Sequence, residues 1–157
     1  MRIVWFTALL LAAAGCSKEN PRVATAPNQQ AALGMLPMDP LQGKVITSWI
    51  DRRNSTMSTL FGNDLAVQYA RSGARNDYPA GSVLSLVTWQ QQEDARWFGG
   101  TIPAAPKSVE FVTVQSGPSY AYQRYEGSPL KRVELEVVTN QDSRVFQFLS
   151  QRAAVLP

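Results

Sequence analysis

The sequence predicts an α+β fold, a mostly antiparallel β-sheet with two short helices packed on it. Three observations carry this. Segments rich in β-branched and aromatic residues recur from Ser82 onward, each bounded by Gly or Pro turns. Two of them flank Ser116-Gly117-Pro118, a good hairpin signal. Helical spacing is confined to two short stretches, one on either side of that strand-rich region.

In chain order, Met1 to Gly15 has the three parts of an export leader. Arg2 gives a short positive start, Ile3 to Ala14 an almost unbroken apolar stretch, and Ala13-Ala14-Gly15 small residues before Cys16. That stretch is well short of the ~20 residues a permanent membrane helix needs. Small residues followed by cysteine resemble a bacterial lipobox, with Ala13 standing where a branched residue is usual. Cys16 is then the lipidated first residue of the mature chain, since several acyl chains hold a membrane far better than one. Ser17, rather than Asp, resembles sorting to the outer membrane, with the chain on its periplasmic side. The leader is therefore 1–15, and the alternative is an ordinary secretory signal cut nearby.

Residues 16–43 read as a flexible tether. Pro21, Pro27, Pro37 and Pro40 interrupt it, it has no aromatic residue, and its periodicity is not sustained, so it buries too little apolar surface to offset its ordering entropy. The Leu33–Met38 patch is apolar enough to dock on the domain. The domain itself spans 44–157. Asn63 and Asp64 offer N-caps for a helix from Asp64 to Ser72, with Leu65, Tyr69 and Ala66 facing inward and Gly73 at its stop. Tyr78-Pro79-Ala80-Gly81 forms a turn. Ser82–Trp89 reads as a strand, broken by the polar run Gln90–Asp94, and Arg96–Ile102 as a returning strand. Pro103 and Pro106 bracket a loop. Ser108–Gln115 and Ser119–Glu126 form the hairpin, and Val133–Val138 one more edge strand. The stretch from Asp142 to about Ala154 has Val145, Leu149 and Ala153 at helical spacing.

Composition narrows the chemistry. Apolar residues make up 45% and charged residues 17%, as in a globular chain. The formal charge of +3 is scattered, with no basic run longer than the pairs Arg52-Arg53 and Lys131-Arg132. No nucleic-acid partner is expected. The chain has no histidine, and Cys16 is its one cysteine. An internal disulfide, a zinc finger, a His-based triad and the usual thiolate or imidazole metal sites are thereby excluded.

The stretches TMSTLFGNDLAVQYARSG (56–73), YPAGSVLSLVTW (78–89), EDARWFGGTIPAAPKSVEFVTV (93–114) and SYAYQRYEG (119–127) together resemble the cytochrome P-460 family. The similarity is closer to a lipoprotein subset whose chains end in a segment like LSQRAAVLP (149–157). The resemblance implies a small antiparallel β domain with helices beside the sheet, often a homodimer. Haem-bearing members attach c-type haem and oxidise hydroxylamine or bind small gases. Their functional residues do not carry over. C-x-x-C-H is missing here, and Leu86 falls where the resemblance places the lysine that crosslinks to haem. The expectation is a fold kept without cofactor or metal, since fold alone does not supply function.

Six residues are candidates for a pocket: Leu86, Trp89, Trp97, Phe98, Glu110 and Tyr122. Glu110 lies mid-strand on the side of Val112 and Val114, so if that side is covered it is a buried carboxylate. Pairing with Arg124 on the neighbouring strand is the structural alternative. Aromatic walls suit a small apolar ligand, although a domain of this size also needs such residues for its core. Glu93 and Asp94 are paired carboxylates beside Arg96, which a solvated turn explains. Gly62-Asn63-Asp64 could hold an anion at a helix start, which a capped turn explains as well. Gly99-Gly100 is too little for a phosphate loop, and Lys107 and Ser108 face opposite ways on a strand. The leading reading is a non-enzymatic, membrane-anchored binding or interaction module, its small ligand or protein partner not named by the sequence. The alternative is a redox enzyme or gas sensor with a non-covalent haem in the same pocket.

Overall fold

The structure, a computed structural model, describes residues 27–73, 77–117, 119–134 and 141–154. Its centre is a six-stranded antiparallel meander in which each strand pairs with the next in sequence. The strands are β1 (Lys44–Asp51), β2 (Thr56–Gly62), β3 (Val83–Glu93), β4 (Thr101–Val114), β5 (Tyr120–Glu126) and β6 (Lys131–Arg132). Helix α1 (Asp64–Arg71) follows β2, and helix α2 (Gln141–Ser150) follows β6. This is the α+β architecture expected from the sequence.

Alternation along the strands sorts the core onto two faces. On one face Ile46, Leu60, Leu84, Leu86, Val112, Val114 and Tyr122 pack beneath α1 and α2, which contribute Ala66, Val67, Ala70, Val145 and Phe148. On the other, Phe61, Val87, Trp89, Val109, Phe111 and Tyr125 are buried together with Leu33.

Leu33 belongs to the stretch read as a tether. Cys16 and the leader lie outside the described residues, but residues 27–43 lie on the sheet. Leu33 is 9% exposed, Pro40 is buried, and the Trp89 indole donates to the Ala31 carbonyl at 2.9 Å. Two short 3-10 turns, Gln29–Ala31 and Pro40–Gln42, shape this cover. The physical reason is the sheet: a strand such as β3, apolar on both sides, leaves a second face that has to be covered.

Other elements also differ from expectation. Strands β1 and β2 carried no strand prediction. Strand β3 runs through the polar stretch to Glu93, because the β3–β4 hairpin projects past its neighbours there and its side chains meet water. Residues Arg96–Gly100 form the hairpin turn rather than a strand, closed by Asp94 N–H to the Gly100 carbonyl at 2.9 Å and Gly100 N–H to the Trp97 carbonyl at 2.9 Å. Gly99 supplies the positive φ of +74° that this turn requires. Pro103 and Pro106 lie within β4. That stretch extends beyond the last β4–β5 pair, Ser108 with Glu126, so its outer edge needs no N–H donor. The Pro103 carbonyl points to that edge and accepts from Asn28 Nδ2 at 2.6 Å.

Helix α1 begins as expected, with Asn63 Oδ1 accepting from Ala66 N–H at 3.0 Å. It turns Ala66, Val67 and Ala70 inward, however, and leaves Leu65 at 39% exposure. Close approach accounts for Ala66: a Cβ at Gly62 would stand 3.0 Å from the Ala66 Cβ, so the helix meets β2 there with no room for a larger side chain. Helix α2 stops at Ser150, where the chain straightens; Ala154 N–H then donates to the Ile46 carbonyl at 3.0 Å. Of the expected edge strand Val133–Val138, Val133 donates to the Arg124 carbonyl at 2.9 Å without being in a strand; residues 135–138 lie outside the described residues.

Candidate functional site

Glu110 sits in the middle of β4, opposite Leu86 on one side and Arg124 on the other. It is completely buried. A bare carboxylate there would be prohibitive, so its partners decide what it is. Arg144, from the first half of α2, reaches down with two parallel hydrogen bonds, Nε to Oε2 at 2.9 Å and Nη2 to Oε1 at 2.7 Å. Tyr122, on the neighbouring strand, donates its hydroxyl to Oε2 at 2.6 Å. This is a forked, charge-assisted pair with a third donor. Arg124, the cross-strand neighbour expected as partner, bonds instead to Glu126 two residues on. Its charge still acts on Glu110.

The electrostatics follow from these contacts. Burial pushes the Glu110 carboxyl up, but the hydrogen bonds and charge of Arg144, the Tyr122 hydroxyl and the charge of Arg124 outweigh it and leave the group below its ordinary range. Burial, and then the adjacent Glu110 carboxylate, hold the Tyr122 phenol far above its usual range. Tyr78 is raised by burial, and Tyr120 by its hydrogen bond to Asp142. Each of these three phenols is thus held above its usual range.

Beside the ion pair lies a cavity of about 340 Å³ between α2, β1 and β3. Trp49, Leu60, Leu86 and Phe148 give it apolar walls, and Arg144, Gln147 and Gln151 its polar groups. Arg144 is already engaged, with Nη1 bonded to Gln147 Oε1 at 2.9 Å as well as the two bonds to Glu110. The cavity therefore presents amide groups and a neutralised guanidinium rather than an open charge. Chemically it suits a small, uncharged, partly apolar molecule. Among the described residues no group of three or more His, Cys, Asp or Glu is placed to hold a metal ion.

Of the residues singled out from sequence, the structure brings Leu86, Glu110 and Tyr122 together beneath α2. Trp89 lies on the opposite face under Ala31 and Leu33. Trp97 and Phe98 stand at the hairpin tip, 75% and fully exposed. Cys16 lies outside the described residues. Asp94 caps its own turn, with Oδ1 accepting from Arg96 N–H at 2.9 Å. Asp64 at the start of α1 is 2.7 Å from Lys44 Nζ, and its charge would repel an anion there. Sequence reasoning missed Arg144 and Phe148. The signal was present: they are four apart in α2, so an arginine falls on the stripe that meets the sheet.

A family model described as Cytochrome P460 matches residues 41–141. No curated protein matches the chain.

Proposed function

The chain belongs to the cytochrome P460 family, and from that premise we propose that it is a member working without covalently attached haem, as a lipid-anchored binding module on the periplasmic side of the outer membrane. The observation that carries the haem-free part of this reading is the buried Glu110–Arg144–Tyr122 cluster, and the lipobox-like run ending at Cys16 supports the anchor. It occupies, with side chains bonded to one another, part of the sheet face on which Leu86 replaces the lysine that the resemblance assigns to the haem crosslink.

A c-type haem does not fit the residues present. Its attachment needs two thiols and an imidazole, and this chain has no histidine and only Cys16. A non-covalent haem would need an axial ligand from Tyr, Met or Lys. The cavity beside Arg144 has no phenol, sulfur or amine in its wall. What the site offers is a small amphipathic recess at the foot of α2. It would bind a neutral molecule of a few heavy atoms, apolar against Trp49 and Phe148 and hydrogen-bonded to Gln147 or Gln151.

Two measurements test the two halves of the proposal. Protein purified from haem-replete cells is expected to show no Soret band and no saturable binding of added hemin. A stoichiometric Soret band that persists through purification overturns the haem-free reading. In Gram-negative cells fed labelled palmitate, the intact chain is expected to take up label and Cys16→Ser to lose it. Equal labelling of both, or of neither, overturns the anchor.

A further inference from the structure

An antiparallel meander gathers alternate turns at one end of its sheet. Here the β1–β2 turn and the β3–β4 hairpin share an end: Thr56 pairs with Gln90, and Gln91 N–H donates to the Ser55 carbonyl at 3.0 Å. The hairpin continues three residues further, to Glu93, or about 10 Å at strand rise. Trp97 and Phe98, at 75% and full exposure, cap that projection. Their display is built into the backbone, since the two hydrogen bonds between Asp94 or Trp97 and Gly100, with Asp94 capping Arg96, close the turn beneath them. Exposed Arg52, Arg53 and Arg96 lie at the same end, interleaved with Asp51, Glu93 and Asp94, and Arg96 Nε stands 3.8 Å from Asp94 Oδ1. Two adjacent aromatic side chains with arginines around them are a costly surface to leave in water.

The described chain starts at this end too. Asn28 is bonded to the Pro103 carbonyl two residues inside the tip, and from there the chain runs away from it, past Trp89 at Ala31 to Phe61 at Gly43. Residues 17–27 lie in the sequence between Cys16 and this point, which is on the side where Trp97 and Phe98 stand. Eleven residues span no more than about 40 Å at full extension. An anchor at Cys16 keeps the tip within reach of the bilayer that holds it.

We infer that the Trp97–Phe98 tip inserts into the interfacial layer of an anionic phospholipid membrane, with Arg52 and Arg53 of the adjacent β1–β2 turn over the lipid phosphates, and so fixes the orientation of the anchored domain. Indole and phenyl rings suit the headgroup–acyl boundary and carry the inference; Arg52 and Arg53 add an attraction that salt screens and that Asp51 and Glu93 partly offset. The inference rests on the lipid anchor for the choice of membrane, and the test separates the two.

The lipidated full-length chain is reconstituted into vesicles of phosphatidylethanolamine and phosphatidylglycerol, part of whose acyl chains are brominated. Tryptophan quenching is compared with that of Trp97→Phe, which keeps an aromatic tip and leaves the other indoles. The Trp97 contribution is expected to be quenched about twofold or more, as for an interfacial indole; no difference between the two proteins overturns the inference. The second arm uses the chain from Ser17 onward, which contains every described residue and needs no lipid. It is expected to co-sediment with the same vesicles at low salt, and the double variant Trp97→Ala, Phe98→Ala to lose about tenfold in binding with unchanged thermal unfolding. If the native chain takes up no palmitate, the anchor fails and this second arm alone decides the tip, with equal binding of the two proteins overturning it.

Discussion

At the scale of single residues, Glu110 shows how context converts a liability into a fixed point. A fully buried carboxylate is tolerated because a forked guanidinium and a phenol satisfy it at 2.6–2.9 Å. Removing one partner costs more than the pair contributes, because the other is left uncompensated. Glu110→Ala is expected to lower the stability to urea by about 2–4 kcal/mol, below the usual range for a buried pair because Arg144 can turn toward water. Replacing both members by leucine is expected to lose much less, since two buried charges vanish together. The pH dependence follows from the same contacts. With its folded pKa depressed, Glu110 contributes stability that is fully present above the unfolded carboxylate value of about 4.5 and is lost as pH falls through the lower, folded value. Urea midpoints of the native protein should therefore drop below that pH. Glu110→Gln should flatten this part of the profile, and an unchanged slope would place the acid sensitivity elsewhere.

At the scale of elements, the β2–α1 junction depends on one side chain doing three things. Asn63 caps α1, its Oδ1 also accepts from Val83 N–H at 3.2 Å, and its Nδ2 donates to the Gly81 carbonyl at 2.9 Å. It ties the helix start to the head of β3. Asn63→Ala is expected to cost about 2 kcal/mol in urea unfolding, at the upper end for a cap because the bonds to β3 go with it. Asn63→Asp keeps the acceptor and loses the donor, so it should fall between the native protein and Asn63→Ala; an Asp variant as weak as the Ala variant would argue that the Gly81 bond dominates. Helix α2 is held differently, by the fork to Glu110 and by the extended tail that follows it, with Ala153 N–H bonded to the Ala70 carbonyl and Ala154 N–H to that of Ile46.

At the scale of the whole molecule, the sheet divides the core in two, helices covering one face and residues 27–43 covering much of the other. The second cover is the thinner. Leu33→Ala is expected to cost about 2–3 kcal/mol, the low end for a buried leucine because its site lies at the margin of the core. If the segment is part of one cooperative unit, near-ultraviolet and far-ultraviolet circular dichroism should report a single coincident transition, shifted to lower urea. An unshifted transition with faster protease cleavage between residues 27 and 43 would instead mark a strap that opens on its own.

How much was legible without the fold differs by feature. The family resemblance, the α+β class, the Asn63 cap, the β4–β5 hairpin and the sheet face that Glu110 shares with Val112 and Val114 could all be read from local pattern, because turn chemistry, β-branching and alternation act over a few residues; whether that face is covered could not be. Strands β1 and β2 were not predicted, since KVITSWID and TMSTLFG mix polar and apolar residues in a way only neighbouring strands resolve. The prolines of β4 looked like loop residues because whether a missing N–H matters depends on an edge that pairing creates. The sequence by itself determined the chemistry this chain can do: no imidazole, no thiol beyond Cys16, a carboxylate set among valines. Alternation along the predicted strand already sets Trp89 on the face opposite Leu86; tertiary structure alone decided that Arg144 rather than Arg124 answers Glu110, and that Trp97 and Phe98 stand outside the site. The reason is distance. A side chain's partner is set by which elements the meander and the closing helix bring within about 3 Å, and that is a property of the packed chain rather than of any local run.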